Sequence, residues 1–306
     1  MSERNTWLPY LLLIMLALIW GSSFILMKEG LKVMSSIQMA AYRIALSGAI
    51  FSPFVFNHFK KIAKSDRKYV LLAGLMGSAI PSFLFAFAQK EISSSLAGVL
   101  NALTPIFTLL IAAIFTSLIL SKSKIVGVVI GFLGAMALIL SKYFSGNSTL
   151  TFFESIEEVK YALLVIIATL MYGSNINLIK TKLSHYKAFV IATTPIFLVS
   201  IPAMIILLFT DWSNLDLYES EQIFKSFGAV SALAIFGTAI SLILFNRLVQ
   251  LSGPVFASSV TYFIPFVALF LGYKDGENIG WMQLVGMILI LIGVYLINKR
   301  SKSLGH

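Results

Sequence analysis

Arg43 is the residue whose type and setting most clearly suggest chemistry, because it is the one charged residue inside the long apolar runs of this chain. If its run crosses a membrane, a guanidinium at the bilayer centre costs about 2.5–3.5 kcal/mol, so its presence needs a reason. A functional reason is that the planar guanidinium binds a carboxylate or phosphate through two parallel hydrogen bonds. A structural reason is that the side chain extends to the interface or pairs with an acidic loop residue such as Glu91. The residue types leave both interpretations open.

Two prolines mark a second group of candidate residues. Pro105 and Pro265 each lie inside a long apolar run, where a proline removes one backbone hydrogen bond and frees the carbonyl about one turn before it. Polar side chains beside the freed carbonyls would line a substrate-contacting kink. The predicted lining consists of Asn101, Thr104, Thr261 and Tyr262. The alternative is that both prolines only shape helix packing, but their corresponding positions in the two halves of the chain favour a functional kink.

The motifs WGSSF and YGSNI, which begin at Trp20 and Tyr172, contribute a third group. Their small residues permit close approach of helices, and packing is the main role expected for them. Trp20, Ser23 and Asn175 are nevertheless included in the predicted substrate-binding set. Asn175 is preferred to Asn177, because residues two apart cannot share one face of a helix.

Groups for catalysis and metal binding are missing from the interior of the apolar runs, which contain no Asp, Glu or His well inside them. The sequence also has no cysteine, no phosphate-binding loop and no metal-ligand cluster. We therefore expect no catalytic residue, no metal and no cofactor. A polytopic membrane enzyme would need acids or histidines near a membrane face. The connections of one face offer only Asp66 and His185, far apart in sequence, so an enzyme is the weaker hypothesis.

The composition places the whole chain in a membrane. Of 306 residues, 58% are hydrophobic and 12% are charged, whereas a soluble protein carries about a quarter charged residues. A net charge of +10 would suit nucleic acid, but no water-soluble domain can be delimited, and we expect no nucleic-acid partner. Ten apolar runs are long enough to cross a bilayer, although tight connections leave nine possible. The runs are Leu8 to Met27, Ser36 to Phe56, Tyr69 to Ala88, Ser93 to Leu120, Ile125 to Ser141, Tyr161 to Ile179, Ala188 to Thr210, Ser226 to Asn246, Leu248 to Tyr273, and Ile279 to Asn298.

The distribution of charge predicts the orientation. One set of alternating connections carries 15 Lys or Arg with 2 acids, and the other carries 7 Lys against 11 acids. Because cytoplasmic connections retain positive charge, both termini are predicted to be cytoplasmic, in an inner membrane crossed an even number of times.

An internal repeat is visible along the chain. WGSSFILMK aligns with YGSNINLIK at an offset of 152, and later pairs keep the same order at offsets of 160 and 159. These pairs include Gly77 with Gly237, Phe85 with Phe245, Pro105 with Pro265, Gly127 with Gly286, and Gly134 with Gly293. Each half holds five predicted helices, and an odd number forces the second copy to enter from the opposite side. The prediction is an all-α integral membrane protein of ten transmembrane helices in two inverted five-helix repeats. The predicted divisions are 1–141 for the first repeat, 142–160 for an external linker, 161–298 for the second repeat and 299–306 for a cytoplasmic tail.

The runs WGSSF, AAYRIAL, AGVLNALTPIFTLLIAAIF and GVVIGFLGAMALI resemble the EamA-type branch of the drug/metabolite transporter superfamily, from about Leu8 to Asn298. The resemblance implies an inner-membrane secondary carrier of small metabolites that often exports amino acids or related carboxylates. Relatives that carry sugar phosphates or nucleotide sugars supply the alternative. The family commonly places a Glu about twelve residues after each proline. Glu277 fits this pattern, but Ser117 stands at that distance after Pro105.

Together these features predict alternating access around a midplane cavity. The expected partners are a small-molecule substrate and the lipid bilayer, and the sequence leaves the oligomeric state open.

Overall fold

The computed structural model describes residues 7–116, 120–140, 152–257 and 260–298, and no strand occurs in these ranges. The helices, in chain order, are α1 (Leu8–Gly30), α2 (Ser36–Phe59), α3 (Arg67–Ala88), α4 (Ser94–Leu100, Asn101–Leu103 and Thr104–Thr116), α5 (Lys122–Ile139), α6 (Phe152–Leu178 and Ile179–Leu183), α7 (Ala188–Phe209), α8 (Ser220–Ala232, Leu233–Ile240 and Ser241–Ala257), α9 (Val260–Lys274) and α10 (Trp281–Asn298). A short 3₁₀ helix, Ser213–Leu217, precedes α8.

The helices form a multi-pass membrane bundle. Eight of them in the described part of the chain are long and apolar enough to cross a bilayer, namely α1, α3 to α8 and α10. The helix α9 is shorter but apolar, and α2 is a 24-residue helix that carries Arg43. Large apolar side chains such as Phe115, Leu208 and Phe209 are exposed, as expected for a surface in contact with lipid. The predicted number of ten spans stays a prediction.

Two helix boundaries differ from the sequence prediction. The helix α8 continues past Arg247 to Ala257, where the sequence suggested a connection. A single exposed charge ends an apolar run, but it does not end a helix, since Arg is a good helix former. The helix α6 begins at Phe152, inside the predicted linker. Its first turns contain Glu and Lys residues, which favour helix although they are polar.

Glycines let the backbones of α5 and α10 come into direct contact. Among the described helices, this pair makes the most extensive contact of the bundle. A Cβ placed on Gly127 would lie 2.7 Å from the carbonyl oxygen of Gly293. A Cβ on Gly134 would likewise lie 2.7 Å from the carbonyl oxygen of Gly286. These glycines therefore serve the packing of α5 against α10.

Contacts elsewhere in the bundle occur in matching pairs. The helix α1 packs against α9 with Gly21 at Val267, and α6 packs against α4 with Gly173 at Phe107. The ring of Trp20 lies 5.4 Å from that of Phe245, and the ring of Tyr172 lies 6.2 Å from that of Phe85. The two residues of the second contact in each pair are the repeat counterparts of the two residues of the first contact, at the offsets of 152 and 160.

The helices α3 and α8 each contain a π-helical segment. These segments are Leu75–Ala79 and Leu233–Ile240, so they overlap at the offset of 160 that relates the two helices. Gly77 and Gly237 lie within them and allow close approach of Asn175 and Ser23, respectively. Because π-helical segments change the direction in which side chains point and often occur at functional sites, they draw attention to this layer of the bundle.

Candidate functional site

Arg43 extends from α2 toward the π-helical segment of α8. Its Nε donates a 3.2 Å hydrogen bond to Thr238 Oγ1, and the residue is half-buried. Among the described residues this is the only hydrogen bond of the guanidinium, and no acidic side chain there pairs with it. Glu91, the loop residue considered as a partner, is exposed. The two Nη groups have no hydrogen-bond partner among the described residues.

The contact between α2 and α8 is held by further polar groups. Ser47, one turn after Arg43, donates its hydroxyl to the carbonyl of Ala234 at 3.2 Å. Tyr42 shares a 3.0 Å hydrogen bond with Ser231. Hydrogen bonds from Tyr42, Arg43 and Ser47 thus join α2 to α8.

Aromatic side chains from α1 and α6 approach the same layer. Trp20 donates its Nε1–H to the carbonyl of Gly237 at 3.2 Å, inside the π-helical segment of α8. Tyr172 stacks on Phe85 with an angle of 23° between the rings, and it lies near enough to Arg43 to interact with its charge. The structure thus brings Trp20 and Arg43 to the same π-helical segment from different helices.

Ser23 and Asn175 both face π-helical segments but have different partners. Ser23 is buried, donates to the carbonyl of Ile19 at 2.8 Å and lies against Gly237. Asn175 lies against Gly77, and its Oδ1 is buried without a hydrogen-bond partner in the described part of the chain. Asn177 donates to the carbonyls of Thr108 and Gly173, each at 2.9 Å, so its amide serves helix packing.

The kink before Pro105 has its freed carbonyl satisfied within α4. The chain forms a 3₁₀ turn at Asn101–Leu103, and the carbonyl of Asn101 accepts the hydroxyl of Thr104 at 2.8 Å. Pro265 lies inside α9. Near the start of α9, Tyr262 donates to the carbonyl of Val294 at 3.0 Å and accepts from Asn298 at 2.9 Å, while Thr261 has contacts of its own. These bonds commit the hydroxyls of Thr104 and Tyr262 to protein partners.

A carboxylate joins three helices at the end of the bundle where α1 and α9 finish. Glu277 accepts the backbone N–H groups of Ser94 and Ser95 at 2.9 and 3.0 Å and the Ser95 hydroxyl at 2.6 Å. Lys28 donates to Glu277 at 3.1 Å and to Asp275 at 2.6 Å. Burial raises the pKa of the Glu277 carboxyl, but the hydrogen bonds from Ser95, Ser94 and Lys28 outweigh it and hold the pKa below its ordinary value. We call Lys28, Ser94, Ser95, Asp275 and Glu277 the carboxylate clamp.

Asp66, just before the first residue of α3, lies next to His185, although the two residues are far apart in sequence. Asp66 accepts the hydroxyl of Tyr186 at 2.8 Å and lies 3.2 Å from Nε2 of His185. The hydrogen bond from Tyr186, followed by that from His185, holds the pKa of the Asp66 carboxyl below its ordinary value. Distance in sequence was therefore a wrong guide to the separation of Asp66 and His185. The cluster ties the connection before α3 to the one after α6.

Thr238 and the π-helical segments were not among the residues proposed from the sequence. Thr238 is one hydroxyl in a run of apolar residues, and its partner Arg43 lies 195 positions away. The repeat nevertheless held a signal, since the offset that relates Gly77 to Gly237 also relates Ser78 to Thr238. A hydroxyl at the same place in both halves marks the position.

Several known proteins are similar to this chain over most of its length. An uncharacterized transporter of Archaeoglobus fulgidus is 25% identical over 282 residues, covering 92% of this chain and 95% of its own. An uncharacterized inner membrane transporter of Escherichia coli, YedA, is also 25% identical, with 92% and 90% covered. A WAT1-related protein of Arabidopsis thaliana is 21% identical over 86% of this chain and 71% of its own.

A crystal structure with 14% sequence identity overlays 94% of this chain and 95% of its own with a TM-score of 0.62, which supports the fold. The model of the EamA-like transporter family matches twice, at residues 7–140 and 159–299. The two matches cover nearly all of the chain, one in each half. The protein therefore belongs to the EamA-like transporter family, and it is a membrane transporter of that type.

Proposed function

We propose that the protein is a secondary carrier that exports a small carboxylate-bearing metabolite, such as an amino acid, by alternating access. The observation that carries this proposal is the guanidinium of Arg43, which lies within the bundle with its Nη groups unpaired in the described part of the chain. A half-buried guanidinium without a counter-charge is costly inside a membrane, and an anionic substrate group would offset part of that cost when bound. The bound carboxylate would accept two parallel hydrogen bonds.

The paired contacts support an inverted repeat. A two-fold relation between halves requires that each contact between α1 and α9 reappear between α6 and α4. Gly21 with Val267 and Gly173 with Phe107 meet this requirement, and each aromatic pair has its counterpart. The repeats would be 1–141 and 161–298, joined through 142–160. Two similar halves of opposite orientation can exchange between arrangements open to one side or to the other.

The charge of the connections supports the orientation. The protein would lie in the inner membrane with both termini in the cytoplasm. The carboxylate clamp would then face the outside of this membrane. In that arrangement the clamp lies at the exit from which an exported substrate leaves. The cluster of Asp66, His185 and Tyr186 would then lie at the cytoplasmic end.

A carrier of sugar phosphates or nucleotide sugars is the alternative, because a guanidinium also binds phosphate in a bidentate way. Among the described residues, Arg43 is the one cation of this site, which favours the carboxylate with its one negative charge. Phosphate monoesters carry between one and two charges near neutral pH and commonly require more than one cationic group.

The test is counterflow in proteoliposomes. Vesicles are preloaded with pooled unlabelled amino acids or, separately, with pooled sugar phosphates, and the entry of a labelled member of the pool is followed. We expect entry with the amino-acid pool, and we expect Arg43→Ala to abolish it while the protein still inserts into the membrane. Arg247→Ala is the matched control, since Arg247 is an exposed arginine of α8.

Normal counterflow by Arg43→Ala would overturn the role of Arg43. Entry with the sugar-phosphate pool alone would show that the substrate carries a phosphate and not a carboxylate as its anionic group. Entry that never saturates with concentration would point to a channel instead of a carrier.

A further inference from the structure

We infer that Arg43, Thr238 and Tyr172 form one anion site, in which Thr238 orients the guanidinium and Tyr172 donates a second hydrogen bond to the bound carboxylate. This inference rests on the proposed function and specifies its binding site. Thr238 is a positioning residue in this scheme, because it acts through Arg43. Tyr172 is a binding residue that determines specificity.

The position of Thr238 follows from the π-helical segment. Thr238 is 7% exposed, and its hydroxyl accepts the Nε–H of Arg43 and donates to the carbonyl of Leu233 at 3.5 Å. With both the donor and an acceptor lone pair engaged, the hydroxyl has a fixed direction. The bond to Nε uses one edge of the guanidinium and leaves the edge with both Nη groups for the substrate.

A second hydrogen bond joins α2 and α8 one helical turn away from the bond between Arg43 and Thr238. Ser47 lies one turn after Arg43 on α2, and Ala234 lies one turn before Thr238 on α8. The hydroxyl of Ser47 is shared between the carbonyl of Arg43 at 2.8 Å and that of Ala234 at 3.2 Å, so it adds a second polar contact between α2 and α8.

Tyr172 differs from its counterpart in the repeat in one respect. Trp20, at the corresponding position, uses its N–H on the carbonyl of Gly237. The hydroxyl of Tyr172 has no hydrogen-bond partner in the described part of the chain, although stacking on Phe85 fixes its ring. It lies near enough to Arg43 to interact with its charge. A carboxylate between them would accept from both.

Among the described residues, the second repeat has no counterpart of this site. The offset of 152 relates Arg43 to Pro195, which has no charge and no donor. The site therefore has a single cation, and the chemistry that it recognises is a single carboxylate on a small body. The ring of Tyr172, which is stacked on the buried Phe85, would supply an apolar surface beside it, and this suits an apolar or aromatic body.

The test uses the purified full chain in detergent, with binding followed by the rise in the thermal unfolding midpoint as benzoate or phenylalanine is titrated. Sodium chloride and inorganic phosphate are the comparison salts. The variants are Thr238→Val, Thr238→Ser and Tyr172→Phe. We expect Thr238→Val and Tyr172→Phe to weaken carboxylate binding about tenfold each, and Thr238→Ser to restore most of the affinity.

Tyr42→Phe is the matched control, because it also removes a hydroxyl hydrogen bond between α2 and α8, one residue from Arg43. We expect it to bind carboxylates like the unchanged protein. In counterflow, Thr238→Val is expected to raise KM with the maximal rate unchanged, which a general loss of structure would not produce.

Unchanged affinity in Thr238→Val or Tyr172→Phe would overturn the inference, and so would an equal loss in Tyr42→Phe. In these cases binding by the unchanged protein would leave the proposed function standing. If the unchanged protein binds no carboxylate, the proposed function and this inference fail together.

Discussion

The carboxylate of Glu277 accepts both the backbone N–H and the hydroxyl of Ser95, at 3.0 and 2.6 Å. Glu277 lies after α9, in the second half of the chain, and Ser95 lies in the first turn of α4, in the first half. A carboxylate at a helix N-terminus is stabilised by the unpaired N–H groups and by the helix dipole. The bond therefore closes one end of the bundle by joining helices from both halves.

Removal of this charge should open that end of the bundle. We expect Glu277→Gln to raise the accessibility of position 94, because the amide is a weaker acceptor for the N–H groups and loses the ion pair with Lys28. The chain has no cysteine, so Ser94→Cys supplies a single thiol, and Ser94 is 1% exposed. Labelling with a maleimide in detergent should be about tenfold faster in the double variant.

The control is Glu221→Gln, which breaks the surface pair of Glu221 with Lys225. It should leave the labelling of position 94 unchanged. A labelling rate that is equal with and without Glu277→Gln would show that the clamp does not limit access.

The clamp also has a predictable dependence on pH. Its hydrogen bonds hold the pKa of Glu277 below the ordinary value of 4.5, so the folded state binds this proton more weakly than the unfolded state. The contribution of Glu277 to stability is therefore complete above about pH 4.5, and it is lost as the pH falls through the lower pKa of the folded state.

Thermal unfolding of the unchanged protein and Glu277→Gln, followed from neutral pH downward, measures this contribution. The difference between their unfolding midpoints should be constant near neutral pH and should shrink below about pH 4.5. A difference that grows on acidification would contradict the sign of the pKa shift.

The repeat allowed much of the packing to be anticipated from sequence. The alignment of Phe85 with Phe245 and of Gly127 with Gly286 places matching residues at matching contacts, since duplicated helices inherit their interfaces. The glycine pattern was informative because only a residue without a side chain permits backbone contact between helices.

The polar contacts were harder to anticipate. The π-helical segments leave no pattern in residue type, since tertiary packing decides where one extra residue enters a helix. Thr238 was missed for this reason, because its direction depends on the segment that holds it. Tyr262 was placed beside a freed carbonyl by counting residues, whereas its hydroxyl bonds to α10. Counting along one helix does not reveal which neighbour a long side chain reaches.

The interface of α5 and α10 should not accept a methyl group. A Cβ at Gly134 would lie 2.7 Å from the carbonyl oxygen of Gly286 and 2.8 Å from the nitrogen of Ile290, both of them backbone atoms. The helices must therefore separate, and we expect Gly134→Ala to lower the free energy of unfolding by about 1–3 kcal/mol.

Gly228→Ala is the matched control, since a Cβ there meets nothing within 4 Å. It should be neutral or slightly stabilising, because Ala favours helix over Gly. Denaturant titration of both variants measures the difference. Equal stability of Gly134→Ala and the unchanged protein would show that α5 and α10 are free to move apart.

Two asparagines two residues apart on α6 should respond differently to replacement by alanine. Asn177 is 8% exposed and donates to two carbonyls, so Asn177→Ala removes two hydrogen bonds from the helix interface and should cost about 1 kcal/mol of stability. Asn175 has a buried Oδ1 without a partner in the described part of the chain, so Asn175→Ala should not lower stability. If Asn175 contacts substrate, as its place against the π-helical segment of α3 suggests, its loss should instead raise KM in counterflow. Thermal unfolding and counterflow on both variants separate the two roles, and a stability loss in Asn175→Ala as large as that in Asn177→Ala would assign both residues to packing.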